Sequence, residues 1–174
     1  MQSTQRIFLV GPMGAGKSTV GRVLAQLMHA EFIDSDGEIE RRTGADIPWI
    51  FEIEGEDGFR TRESQVIAEL CSRSGVVVAT GGGAVMREEN RRLMTATGFV
   101  VYLKATVREQ VRRTAKDSKR PLLAGKNRSQ VLSDLFALRD PLYSDVADLT
   151  LPTAGKNARQ LAESIAAAVE LQPV

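Results

Sequence analysis

The sequence predicts an α/β fold: a parallel sheet of five strands with helices packed on both faces. Three observations predict it. Short apolar runs rich in strand formers recur at Arg6–Val10, Glu31–Ile33, Gly75–Thr80, Phe99–Leu103 and Leu149–Leu151. Segments of helical period separate them, so successive strands are joined by right-handed crossovers. The first strand runs straight into Gly11-Pro12-Met13-Gly14-Ala15-Gly16-Lys17-Ser18, which fits G-x-x-x-x-G-K-[ST] between a strand and a helix.

That octet organises the first third of the chain. Its glycines let backbone N–H groups turn inward around an anion, and the following helix adds the positive end of its dipole. Lys17 would reach the β- and γ-phosphates of a nucleotide, and the Ser18 hydroxyl would ligate Mg²⁺. A plain glycine-rich turn does not explain a lysine beside a hydroxyl at a helix start. In that helix Val20, Val23, Leu24, Leu27 and Met28 share one face. His29 closes it, with no His or Cys nearby to make it a metal ligand. The second strand ends in Asp34-Ser35-Asp36. Carboxylates at the carboxyl end of such a strand stand where ligands bind. The alternative is that Asp36 caps a helix Gly37–Arg42.

No strand is expected between Thr43 and Arg73. Gly44, Pro48, Gly55 and Gly58 divide the stretch into helices at roughly Ile47–Glu54 and Phe59–Ser72. A helical insertion here would stand beside the nucleotide site and hold a second substrate. Its aromatics, Trp49, Phe51 and Phe59, serve that site or the core. The third strand is apolar throughout and enters Gly81-Gly82-Gly83, where bare N–H groups suit close approach of an anion or hydroxyl. Helices follow at Arg87–Thr97 and Thr106–Ala115, on either side of the fourth strand. Lys116 to Gly125 is basic and bounded by Pro and Gly. With Arg112, Arg113, Lys119 and Arg120 clustered there, it reads as a lid over phosphates or as a solvated loop. A helix Ser129–Asp140 ends before Pro141. The last helix, Asn157–Glu170, turns Leu161, Ile165, Ala168 and Val169 inward. Met1 to Gln5 is polar and loose.

The bulk numbers narrow the classes. A chain of 174 residues suits one domain, and 23 Lys and Arg against 22 Asp and Glu give no basic excess for nucleic acid. The single Cys71 cannot form an internal disulfide and falls on an apolar helix side with Ile67 and Leu70. No apolar run is long enough to cross a membrane, and the first strand leaves no room for a signal peptide. The expectation is a cytoplasmic monomer without nucleic-acid or membrane partners.

The ordered set of motifs resembles the shikimate kinase family nearly end to end. The set is Gly11–Ser18, Asp34-Ser35-Asp36, Glu54-Gly55-Glu56 to Phe59-Arg60, Gly81-Gly82-Gly83, Arg120-Pro121-Leu122-Leu123, and Arg139 before Pro141-Leu142-Tyr143. The resemblance implies a single P-loop kinase domain of nucleoside-monophosphate-kinase build, with a core of 1–34 and 74–174. It also implies a substrate-binding insertion of about 35–73 and a lid of about 116–125. It implies ATP and Mg²⁺ as cofactors and phosphorylation of the 3-hydroxyl of shikimate in aromatic amino-acid biosynthesis. Gly14, Ala15, Gly16, Lys17, Ser18 and Thr19 would hold the ATP phosphates. Ser18 would bind Mg²⁺, and Asp34 would sit near it through water. Asp36 would bind ring hydroxyls and is the candidate base. Arg60 and Arg139 would bind the carboxylate, and Gly82 would offer its N–H. Lys17, Asp36 and Arg120 form the catalytic set, with Arg113 near Arg120 on the phosphate side. Adenine would lie near Pro152 and Thr153. There Lys156 stands where some members carry glutamine.

Two rivals carry distinct expectations. Asp34-Ser35-Asp36-Gly37 fits D-x-x-G of GTPase switches, but no N-K-x-D stretch follows and the motif comes too soon after the P-loop. A kinase acting on another small acceptor, such as gluconate, lacks a reason for Gly81-Gly82-Gly83 and the Arg60/Arg139 pair.

Overall fold

A computed structural model describes residues 3–117 and 119–172. Met1 and Gln2 of the loose N-terminal stretch and Ser118 of the lid range lie outside the described residues. The strands are β1 (Arg6–Val10), β2 (Glu31–Asp34), β3 (Val76–Ala79), β4 (Phe99–Lys104) and β5 (Leu149–Pro152). The helices are α1 (Lys17–Met28), α2 (Ser35–Thr43), α3 (Ile47–Leu70), α4 (Glu88–Thr97), α5 (Val107–Thr114), α6 (Arg128–Val146) and α7 (Ala158–Glu170).

All strand pairs are parallel, in the order β2-β3-β1-β4-β5. Phe8 of β1 sits between Val78 and Val100, so side-chain alternation splits the core into two layers. Ile7, Leu9, Val77, Val101 and Leu103 face α1 and α7, which contribute Val20, Leu24, Leu161, Ile165 and Val169. Phe8, Val10, Val78, Val100 and Tyr102 face the other way. There Val66, Ile67 and Leu70 of α3, Met94 of α4, and Tyr143 and Val146 of α6 cover them. A third cluster of Met13, Leu123 and Leu132 ties the P-loop, the short helical turn Pro121–Leu123 and α6 together. The carboxyl ends of β1, β2 and β3 therefore open on one edge, and the site is built there.

Two helices here depart from the sequence expectation. The region of two short helices is one element, Ile47–Leu70, bent at Gly55 (φ 72°, ψ 179°), while Gly58 stays helical. A bidentate pair from Arg62 to Glu54, at 2.6 and 2.8 Å, spans the bend. Helix α6 does not stop before Pro141 but runs through it to Val146. Proline removes one N–H from the ladder, and the burial of Tyr143 and Val146 in the added turns offsets that loss. Among the aromatics of the insertion, Phe59 is buried and packs on Phe51 at 5.0 Å, whereas Trp49 is 55% exposed and is no core residue. Cys71 is buried and free, as its apolar neighbours suggest.

Candidate active site

The loop after β1 turns around its own N–H groups. Gly14 and Gly16 hold φ of 79° and 90°, the left-handed region that a Cβ disfavours. Gly16 is the N-cap of α1 and offers no side chain, so the first N–H groups of the helix are left to a ligand. Ala15 is buried behind the loop. Lys17 Nζ donates to the carbonyls of Gly11 at 2.7 Å and Pro12 at 2.9 Å. Burial, and then the Arg120 guanidinium, push its ammonium down to about 7. A desolvated cation at a nest of N–H groups is a place for an anion.

Asp34 does two things. Its Oδ1 accepts from the N–H groups of Asp36 and Gly37, both at 3.1 Å, and so caps α2. The cap is thus Asp34 and not Asp36, because the helix starts at Ser35, two residues earlier than expected. Its Oδ2 accepts from Ser18 Oγ at 2.5 Å. This leaves Asp36 free of capping. Asp36 Oδ1 is buried without a hydrogen-bond partner. Burial, then Glu63 and Asp34, push its carboxyl up to about 7.

Two cavities meet here. One, of about 510 Å³, is lined by Gly14, Gly16, Lys17, Ser18, Thr19 and Asp34. The other, narrower at about 70 Å³, is lined by Arg60, Glu63, Gly83, Lys119 and Arg139, with an apolar wall of Ile47, Phe51 and Phe59. Met13, Asp36, Gly81, Gly82 and Arg120 line both. Arg120 reaches the junction from the lid range, its Nε held by Asp117 at 2.7 Å.

The second cavity is strongly charged, and its charged side chains Arg60, Glu63 and Arg139 are buried. Arg60 is 8% exposed and pairs with Glu63 at 2.8 Å and, at 3.4 Å, with Glu56. Arg139 is 4% exposed, yet among the described residues no carboxylate pairs with it and its Nε has no partner. The three glycines make room for these groups. A Cβ on Gly81 would stand 2.7 Å from both Asp36 Oδ1 and Glu63 Oε2, and one on Gly83 would stand 2.5 Å from Arg60 Cζ.

The structure thus gathers Lys17, Ser18, Thr19, Asp34, Asp36, Arg60, Gly82, Arg120 and Arg139 along one continuous cleft. Two expected residues stand apart. Arg113 Nη1 donates to Gly14 O at 2.8 Å and Thr153 Oγ1 at 3.3 Å, fastening the P-loop to the loop after β5. Lys156 is exposed on that loop and lines neither cavity. Sequence reasoning passed over Glu63, which burial pushes up against the pull of Arg60 and whose Oε2 has no partner. The signal was there: Glu63 lies three residues after Arg60, on the same helix face.

A family model described as shikimate kinase matches residues 13–170. The chain belongs to the shikimate kinase family. A member from Pasteurella multocida is 55% identical over 166 residues, 95% of each chain. One from Haemophilus influenzae is 56% identical, over 95% of this chain and 92% of its own. Among solved structures, a shikimate kinase from Acinetobacter baumannii in complex with shikimate superposes with a TM-score of 0.94 at 54% identity, covering 97% of this chain and 94% of that one. The shikimate kinase of Aquifex aeolicus gives 0.84 at 34% identity, covering 95% and 96%. The α/β architecture read from the sequence is the P-loop kinase fold of this family.

Proposed function

We propose that the chain transfers the γ-phosphoryl group of ATP to the 3-hydroxyl of shikimate, giving shikimate 3-phosphate for aromatic amino-acid biosynthesis through chorismate. One observation carries the reading: a phosphate-type cavity and a cavity holding a buried arginine with no carboxylate partner among the described residues share Asp36, Gly82 and Arg120 at their junction. Phosphoryl transfer needs donor and acceptor held in line with charge neutralised between them, and the junction offers both. The complex of the Acinetobacter baumannii relative with shikimate supports the acceptor.

In this reading the N–H groups from Gly14 to Thr19 cradle the phosphates, and Lys17 and Arg120 neutralise the transferred group. Asp36 accepts from the acceptor hydroxyl and is the candidate base. Arg60 and Arg139 hold the carboxylate, and Gly82 donates its N–H. Ser18 and Asp34 are hard oxygen donors, and the described residues hold no cluster of three His, Cys, Asp or Glu that would cage a metal by itself. That donor set fits Mg²⁺, which keeps waters and phosphate oxygens in its shell. When bound, the ion would supply charge neutralisation at the phosphates. Arg113 acts here by holding the P-loop, and Lys156 reaches the adenine side only from the rim. The insertion, residues 35–73, and the lid, residues 116–125, close over the substrates and exclude water. The enzyme works as a cytoplasmic monomer, without nucleic acid or membrane. The near balance of 23 Lys and Arg against 22 Asp and Glu supports the part of this that leaves out nucleic acid.

A coupled ADP-release assay tests the reaction. ADP release should require both Mg²⁺ and shikimate, and a panel with gluconate and other polyols should give little. Equal hydrolysis with and without shikimate would sink the assignment. The carboxylate clamp has its own test. Losing one partner of a buried charge pair costs roughly 2–5 kcal/mol, or roughly 1.5 to 3.5 decades. Arg139→Ala should raise the KM for shikimate by that much and leave the KM for ATP nearly unchanged. Arg139→Lys should recover part, because an ammonium lacks the two-pronged fork. Shikimate methyl ester should be a poor acceptor for the wild type. Normal use of the ester removes the clamp.

A further inference from the structure

Helix α6 is fastened twice in the turn that follows Arg139. One residue on, Asp140 Oδ1 accepts from the Tyr102 hydroxyl of β4 at 2.6 Å, and Lys104 lies 3.5 Å from the same oxygen. One turn on, the Tyr143 hydroxyl donates to the carbonyl of Gly82 at 2.5 Å. The two tyrosine rings pack at 5.0 Å and are fully buried. Pro141 stands between the two fastenings, where the helix lacks an N–H for the carbonyl four residues back.

The carbonyl that Tyr143 holds belongs to the peptide joining Gly82 to Gly83. Each of those glycines lies under a different arginine. Arg139 Nη1 is 3.4 Å from where a Gly82 Cβ would be, and the Arg60 guanidinium covers Gly83. Residues four apart share a helix face, so Arg139 and Tyr143 descend on this floor together. Burial pushes the Tyr143 hydroxyl up to about 12 in spite of the Arg139 guanidinium beside it, so the group stays a donor at working pH.

We propose that Tyr143 is a positioning residue for the acceptor: by holding the Gly82–Gly83 peptide to α6, its hydroxyl sets the distance between Arg139 and Arg60 across the glycine floor. The Tyr102–Asp140 bond secures the same helix from the sheet side. This inference rests on the reading of Arg139 as a carboxylate ligand. It adds a residue that lines neither of the two cavities and is buried, joined to the glycine floor through the Gly82 carbonyl. A carboxylate held by two forks is sensitive to their spacing, whereas a bound nucleotide across the junction is not.

Tyr143→Phe keeps the ring and removes the bond. A net hydrogen bond is worth about 1 kcal/mol, close to a fivefold effect. The KM for shikimate should rise about fivefold to tenfold, with kcat and the KM for ATP within about twofold of wild type. In an Arg139→Ala background the same change should raise the shikimate KM less than about twofold, because there is no second fork left to place. Tyr102→Phe, at the other fastening, should raise the same KM, and it serves if Tyr143→Phe fails to fold. An unchanged shikimate KM in the folded variant overturns the proposal. So does a rise of equal size in the Arg139→Ala background, or a parallel rise in the KM for ATP, which is how a merely structural residue behaves. If Arg139→Ala alone leaves the shikimate KM unaltered, the carboxylate reading has failed, and the proposal falls with it.

Discussion

Lys17→Met is expected to cut kcat about a thousandfold while the protein stays folded. One preorganised charge facing the transition state is worth roughly two to three decades, and Lys17 is a cation of the P-loop itself that lines the phosphate-type cavity. The free enzyme holds that cation at a disadvantage. Burial pushes it down to about 7, with the carbonyls of Gly11 and Pro12 as its hydrogen-bond acceptors. A folded value below the unfolded one means that the charged lysine opposes folding below about pH 7, an opposition that fades as pH rises toward the unfolded value. Methionine removes this opposition, so thermal stability at pH 6 should hold or rise.

The same argument fixes a pH dependence for ATP. Bound phosphates favour the ammonium, so above about pH 7 each ATP must bring a proton to Lys17. The dissociation constant should climb by up to about tenfold per pH unit there. Titration calorimetry in two buffers of different ionisation enthalpy should show proton uptake at pH 8 by wild type and none at this site by Lys17→Met. Near wild-type turnover in the variant, or identical proton uptake, would remove Lys17 from the mechanism.

The division between what the sequence revealed and what it hid follows from the range of the forces involved. The strands and the P-loop were legible because apolar alternation and the glycine-lysine-hydroxyl spacing are local signals. The boundaries of β1 agree residue for residue, and α7 begins one residue after its Asn157 cap. Helix α6 runs past Pro141, where the sequence predicts its end, because the burial of Tyr143 and Val146 against the sheet outweighs the local loss of one N–H. The sequence leaves Asp36 open between a ligand role and a helix cap, since Asp34 and Asp36 both suit a cap and only the third dimension shows that Asp34 caps α2 and faces Ser18. Arg60 and Arg139 were found through the family likeness; their meeting across 79 residues is a product of topology that no spacing in the chain announces. The fastening of Tyr143 on Gly82 is hidden for the same reason, being a contact across 61 residues, whereas Glu63, three residues after Arg60 on one helix, is within reach of a local rule.

Asp36→Asn is expected to make the protein more stable and nearly inactive. The carboxyl is pushed from 3.8 up to about 7 by burial first and then by Glu63 and Asp34, and its Oδ1 finds no donor. A folded value above the unfolded one means that the native state keeps a proton which the unfolded chain releases. This group therefore weakens folding progressively between about pH 4 and pH 7, and by a constant amount above that. A shift of about three units sets a ceiling of about 4 kcal/mol. Asparagine has the same shape and no charge, so its advantage over wild type should be absent at pH 4 and full at pH 8. For a chain of this size, each kcal/mol moves Tm by about 2–4 °C. A rise of several degrees at pH 8 with none at pH 4 is the expected pattern in paired melts. Activity should go the other way. An amide cannot take the proton of the acceptor hydroxyl or lend it negative charge, and losing a positioned base typically costs about two to four decades. Shikimate should still bind, since Arg60 and Arg139 keep its carboxylate, so the loss should fall on kcat. An unchanged Tm at pH 8 would show that Asp36 is not held against its preference. Retained kcat would show that the acceptor hydroxyl is activated elsewhere in the cleft.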